Sequence, residues 1–207
     1  MDDFIKALSK EMVRFYLPTF KTLSPFESAK PIIKKDLYYD FPTEFLTLFN
    51  DAPRDESQMY APLKQLITYL CDFIHAGQKK VAIQQKDEAF DLVTEMDQGI
   101  EYVLRYWIKK HFPTHKIIGE EFGQDHLDPT DYAWYIDPID GTSNYAAGKA
   151  TYCLNITCIY NGSPYLTFIG IPAENYVYAS HARQKKSIET VKPALCSEFY
   201  SARVQDQ

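Results

Sequence analysis

The stretch Thr151-Tyr152-Cys153-Leu154-Asn155-Ile156-Thr157-Cys158-Ile159-Tyr160-Asn161-Gly162-Ser163-Pro164-Tyr165-Leu166-Thr167-Phe168-Ile169-Gly170-Ile171 decides the fold class. It is rich in β-branched and aromatic residues, which suit a pleated, half-buried surface. Asn161-Gly162 is a dipeptide that accepts the left-handed backbone angles of a tight hairpin. The pattern predicts strands over Thr151 to Tyr160 and Tyr165 to Ile171, then a third over Tyr176 to Ser180.

Upstream, the apolar period changes from strand-like to helical. Leu63, Leu66, Ile67, Leu70, Phe73 and Ile74 share one helical face, with Gly77 as the expected stop. Ile100, Val103, Leu104, Trp107 and Ile108 form a second face, entered past Asp97 as a cap and ended near Phe112-Pro113. Two helices followed by sequential strands predict an α+β fold, with helices layered on a largely antiparallel sheet.

The chemistry sits between helices and hairpin. Asp137-Pro138-Ile139-Asp140-Gly141-Thr142 follows the apolar run Ala133-Trp134-Tyr135-Ile136. Pro138 has a fixed φ and no N–H, and it biases Asp137 toward extended backbone, so the strand is expected to end at Asp137. Gly141 permits close backbone approach. A helix beginning near Thr142 would aim the free N–H groups of Gly141 and Thr142 at an anion. Alone, these are also ordinary turn residues. Two further acidic segments add weight: Ile117-Ile118-Gly119-Glu120-Glu121, and Asp91-Leu92-Val93-Thr94-Glu95-Met96-Asp97. Several carboxylates plus substrate phosphate are what a hard divalent cation such as magnesium requires.

With all three segments in view, the chain resembles the inositol monophosphatase family of magnesium-dependent, lithium-sensitive phosphatases. The resemblance runs from about Ala61 to Ser180. Its carriers are Asp91-Leu92-Val93-Thr94 with Asp97 and Glu101, Gly119-Glu120-Glu121, and Trp134 to Tyr145. It implies the N-terminal half of that family's layered sandwich. It implies a phosphomonoesterase that binds two or three Mg2+ ions, with Mn2+ as a substitute. Glu120, Asp137 and the Ile139 carbonyl would hold a first metal, and Asp137 would bridge to a second that Asp140 also binds. Glu120, Thr142 and Asp91 are the implied catalytic residues. Thr142 would orient the attacking water, and Asp91 would keep the Thr142 hydroxyl aimed. The amides of Gly141 and Thr142 would hold phosphate oxygens, while Glu121 has no secure ligand role.

The family completes its second metal site with an aspartate in a Trp-Asp-x-Ala-Ala-Gly pattern, which this sequence lacks. Beyond Ser180 its only acids are Glu189, Glu198 and Asp206. The expected organisation is therefore an extension over 1–60, a family-like domain over 61–180 and a divergent tail over 181–207, with the family's C-terminal half missing. Two functions follow from this. One is metal-dependent hydrolysis of an inositol-monophosphate-like ester, with a 3',5'-bisphosphate nucleotide as alternative substrate. The other is a catalytically silent or regulatory subunit. A half-fold leaves an edge or face uncovered, which predicts a homo-oligomer, a partner chain, or residues 1–60 folding over the gap.

Composition narrows the class. The 207 residues suit one domain plus an appendage. A net charge of -6 argues against a general nucleic-acid surface, although bound metal can invert the local field for an anionic substrate. No long apolar run or signal-like segment is evident, so no membrane span is expected and the cytoplasm is the default. Cys71, Cys153, Cys158 and Cys196 form no C-x-x-C pair and read as reduced core thiols. His111 and His115 have zinc-ligand spacing, but Pro113 between them makes them a helix-end and a loop histidine. Residues 1–60 hold five of the twelve prolines. There Phe4, Leu8, Met12 and Phe15 follow helical spacing, and Thr43 to Phe49 predicts a short helical segment.

Overall fold

A computed structural model describes residues 13–14, 40–41, 47–49, 51, 53, 55–81, 86–182 and 189–191, with backbone alone at 13–14, 40–41, 79–81, 86–95 and 189–191. Its elements are β1 (Val13–Arg14), β2 (Asp40–Phe41), α1 (Tyr60–Val81), α2 (Lys86–His111), β3 (Lys116–Gly119), β4 (Gly123–Gln124), β5 (Tyr132–Asp140), α3 (Thr142–Ala146), β6 (Cys153–Tyr160), β7 (Ser163–Ile171), β8 (Tyr176–His181) and β9 (Glu189–Val191). β1 and β2 pair antiparallel. Within the span predicted as helical from Phe4 to Phe15, residues 13–14 are thus a strand, and the rest lies outside the described residues. Of the segment predicted over Thr43 to Phe49, residues 47–49 are helical.

The other strands form one sheet in the order β4-β3-β5-β6-β7-β8-β9. Every neighbouring pair is antiparallel except β3 and β5. The fold is the expected α+β arrangement of helices on a largely antiparallel sheet. Asn161 and Gly162 turn the β6–β7 hairpin with φ of 49° and 70°, the angles a two-residue turn needs to match strand twist. The sheet continues past residue 180 through His181 and β9.

The core lies between the two long helices and one sheet face. Leu63, Leu66, Ile67, Leu70, Phe73 and Ile74 of α1 and Ile100, Val103, Leu104, Trp107 and Ile108 of α2 are all buried. They meet Trp134, Ile136, Leu154, Ile156, Phe168 and Val177 from the strands. Burying each large apolar side chain stabilises the fold by about 1.5–3 kcal/mol.

Three local expectations are corrected. Gly77 does not stop α1, which runs to Val81. A Cβ at Gly77 would overlap the end of Met96 and crowd the Tyr145 hydroxyl, so glycine there permits close packing inside the helix. Asp97 does not cap α2, which begins at Lys86; it is a buried mid-helix acid. β5 does not end at Asp137 but continues to Asp140 through a register shift. Pro138 is absorbed as a bulge, the place where a strand tolerates a missing N–H.

Among the described residues, no helix is long and apolar enough to cross a membrane. Cys71, Cys153 and Cys158 are free. Cys153 is only half-buried, unlike the core thiol expected, and Cys196 lies outside the described residues. His111 ends α2, and His115 lies in the loop before β3.

Candidate functional site

The parallel pair builds the site. Gly119 aligns with Ile136 in the β3–β5 register, so the residues that follow, Glu120 and Asp137, emerge side by side at one end of the sheet. Strand spacing alone sets such neighbours about 4.8 Å apart. The bulge then changes the register from Asp137 opposite Asn155 to Asp140 opposite Cys153. Asp140 is exposed and accepts a hydrogen bond from Asn155 Nδ2 (3.0 Å), with Cys153 Sγ 3.8 Å from the same oxygen.

α2 adds to this end of the sheet from below. Asp97 and Glu101, four residues apart, share one helix face, and both are buried. Glu101 is consumed structurally. It pairs with Arg105 Nε (2.6 Å) and accepts the backbone N–H groups of Glu121 (2.7 Å) and Phe122 (3.2 Å). Arg105 also donates to the Gly123 carbonyl. A Cβ at Gly119 would overlap the Glu101 carboxylate. The Glu120–Gly123 turn is therefore gripped by an ion pair from α2.

Burial, reinforced by Glu121, Asp137, Glu120 and Glu101, pushes Asp97 up to about 8. Burial, then the neighbouring Glu120 and Asp140 carboxylates, pushes Asp137 up to about 7. Glu121 is also raised, by burial first and then by Glu101 and Glu120, against a hydrogen bond from Gln98. Upward shifts from burial and neighbouring negative charge mark a crowded carboxylate site.

The Asp137-Pro138-Ile139-Asp140-Gly141-Thr142 stretch ends in α3, whose N-cap is Gly141 with φ of 93°. This is a left-handed conformation that side-chain-bearing residues rarely adopt. The Thr142 hydroxyl donates to the Ile139 carbonyl (3.0 Å), so two groups expected in separate roles are linked. Glu120, Asp137, Ile139, Asp140, Gly141 and Thr142 all fall at this end of the sheet. Asp91 lies within α2, with its side chain outside the described ones. Among the described side chains of α2, Asp97 and Glu101 are the acids beside the site carboxylates. No functional role was predicted for Asp97 or Arg105; the i,i+4 spacing of Asp97 and Glu101 was the available signal.

The donor set is all hard oxygen, which suits Mg2+ or Mn2+. Asp137 Oδ1 is buried and has no hydrogen-bond partner among the described residues. An orphaned carboxylate oxygen among other acids is short of positive charge, which a divalent cation supplies. The site therefore fits a metal in donor chemistry. Among the described residues, no three acidic, histidine or cysteine side chains already stand in metal-holding geometry.

Comparisons with known proteins bear on the family and the fold. The model of the inositol monophosphatase family matches residues 55–203. The chain is 39% identical over 84 residues to the Nus factor SuhB of Pseudomonas aeruginosa, covering 40% of this chain and 31% of that protein. It is 39% identical over 82 residues to the inositol-1-monophosphatase of Synechocystis, covering 40% of this chain and 29% of that one. Among solved structures, inositol monophosphatase II of Staphylococcus aureus shares the fold, with a TM-score of 0.51 at 22% identity over 63% of this chain and 47% of its own. The matches thus span about a third of these curated relatives and about half of the solved chain.

Proposed function

The chain belongs to the inositol monophosphatase family, and from that premise we propose that it hydrolyses a small phosphate monoester of the inositol monophosphate class at the Asp97–Glu120–Asp137–Asp140 cluster. The observation that carries this reading is convergence: acids from α2, the β3–β4 turn and both ends of the β5 bulge lie close enough for Asp97 and Asp137 to be raised by burial and by their neighbours' charge. Glu120, Asp137, Asp140 and the Ile139 carbonyl would hold Mg2+. When bound, a divalent cation lowers the pKa of a coordinated water and neutralises charge on the phosphate and leaving oxygen.

The remaining work falls to the chain itself. The Gly141 and Thr142 amides bind phosphate oxygens, and the Thr142 hydroxyl orients the attacking water. Asp91, in α2, is the acid that keeps this hydroxyl aimed, as the resemblance implies, and Asp97 adds a buried carboxylate to the cluster. Phosphoryl transfer demands positioning and charge neutralisation, so no serine or cysteine nucleophile is required.

The test is magnesium-dependent phosphate release from inositol 1-phosphate, run beside adenosine 3',5'-bisphosphate and the Asp137→Asn variant. Release from the first substrate that falls by roughly a hundredfold or more in the variant is the expected result, since losing a charge-stabilising group costs on that order. Preference for the bisphosphate would reassign the substrate. Silence toward both, with magnesium uptake intact by calorimetry, would favour the second reading, a binding or regulatory subunit. The absence of preformed metal geometry among the described residues is what keeps that alternative standing.

A further inference from the structure

The Gly141–Thr142 turn is held from outside its own strand. α3 has five residues, too few to persist alone, and the last carbonyls of any helix lack partners within it. The Ala147, Gly148 and Lys149 amides bond the Ser143, Tyr145 and Asn144 carbonyls, and Gln78, buried near the end of α1, adds a side-chain tie from another element. Its Nε2 donates to the carbonyl oxygens of Tyr145 (3.2 Å) and Lys149 (2.8 Å), at the end of α3 and just beyond it. Its Oε1 accepts from the Tyr152 hydroxyl (3.2 Å).

Tyr152 in turn lies against the turn itself. A Cβ at Gly141 would stand 3.4 Å from the Tyr152 Cα and 3.0 Å from the Thr151 carbonyl oxygen. Tyr145 reinforces the link: its hydroxyl donates to the Ile74 carbonyl of α1 (2.8 Å), and its ring meets that of Tyr152 edge-on at 4.9 Å. Only a side-chain amide offers two donors and an acceptor in one plane here. A glutamate would set a carboxylate against two carbonyl oxygens.

We propose that Gln78 is a positioning residue, a cross-helix clamp that fixes the Gly141–Thr142 turn and thereby sets its affinity for phosphate. The phosphate part rests on the function proposed above; the clamp itself does not. The test uses the full chain, comparing wild type with Gln78→Met, which keeps length and shape, and with Tyr152→Phe, which keeps both Nε2 bonds. Hydrogen exchange is followed at the Asn144, Tyr145, Ala147, Gly148 and Lys149 amides, all of which are internally bonded. Inorganic phosphate and Mg2+ affinities are measured by calorimetry.

For Gln78→Met, exchange at these amides is expected to rise about tenfold and phosphate affinity to fall about tenfold, as expected for lost buried hydrogen bonds. Exchange in β6 and β7 and the Mg2+ affinity should stay within about twofold. Tyr152→Phe should give a smaller change of the same kind, and it carries the comparison if Gln78→Met does not fold. Unaltered exchange at these amides, an equal rise throughout β6 and β7, or parallel loss of phosphate and Mg2+ would overturn the clamp. A wild-type chain that takes up neither magnesium nor phosphate would sink the phosphatase reading, and exchange alone would then decide the clamp.

Discussion

Glu101 shows how an acid in a site can belong to the scaffold instead of the chemistry. Its oxygens are occupied by Arg105 and by the Glu121 and Phe122 amides, whereas Asp137 keeps a buried oxygen without a hydrogen bond among the described residues. The two should respond oppositely to neutralisation. Glu101→Ala leaves the Arg105 charge buried and unpaired, and urea unfolding should show a loss of about 3–5 kcal/mol. Asp137→Asn removes one of several mutually repelling carboxylates, so its melting temperature should hold or rise while phosphate release collapses. Motif identity alone did not separate these roles. Asp97 reads as a cap because the apolar stripe starts just after it, whereas α2 runs back to Lys86 and Asp97 is buried within it.

At the element scale, a column of rings closes the opposite end of the sheet. Phe112, His115 and Tyr132 stack with centroids 4.7 and 4.6 Å apart, and Tyr132 stacks on Tyr160 at 4.1 Å. Trp134 Nε1 donates to His115 Nδ1 (3.0 Å), which assigns the ring proton to Nε2, 3.6 Å from Glu56. Burial lowers the His115 pKa from 6.5 despite the hydrogen bond and charge of Glu56, with Lys109 adding to the lowering and Asp131 opposing it. His111 is lowered as well, by burial and then against the Leu48 carbonyl. The sign follows from linkage. Below about 6.5 the unfolded imidazoles take protons that the folded ones refuse, so the histidines' contribution to stability is full above that pH and declines as pH falls toward the folded values. Asp97 and Asp137, pushed up to about 8 and about 7, act in the opposite sense over this range, so the histidine part is read as a difference: from about pH 7 to about pH 5 the wild type should lose stability relative to His115→Phe, whatever their absolute midpoints. An unchanged difference would remove His115 from the acid response.

For the whole molecule, the helices cover one face of the sheet. On the other, Tyr135 aligns with Thr157, which bonds across to Thr167, and Ile169 aligns with Tyr178. Tyr135 and Ile169 are 42% and 39% exposed. Large exposed apolar side chains on a sheet face favour association. Sedimentation at micromolar concentration should show a dimer or larger species, and Tyr135→Lys should shift it toward monomer. A wild-type monomer that binds no hydrophobic dye would remove this expectation.

The order of helices and strands, the Asn161-Gly162 hairpin and the acidic segments were legible in the sequence because each is local: a period, a turn dipeptide, a run of neighbours. Tertiary structure decided the rest. The parallel β3–β5 register sets Glu120 beside Asp137, the burial of α2 makes Asp97 one of the site acids, and Gln78 reaches Tyr145 and Lys149. These depend on which elements lie side by side, and periodicity within one segment carries no information about its neighbour across the sheet.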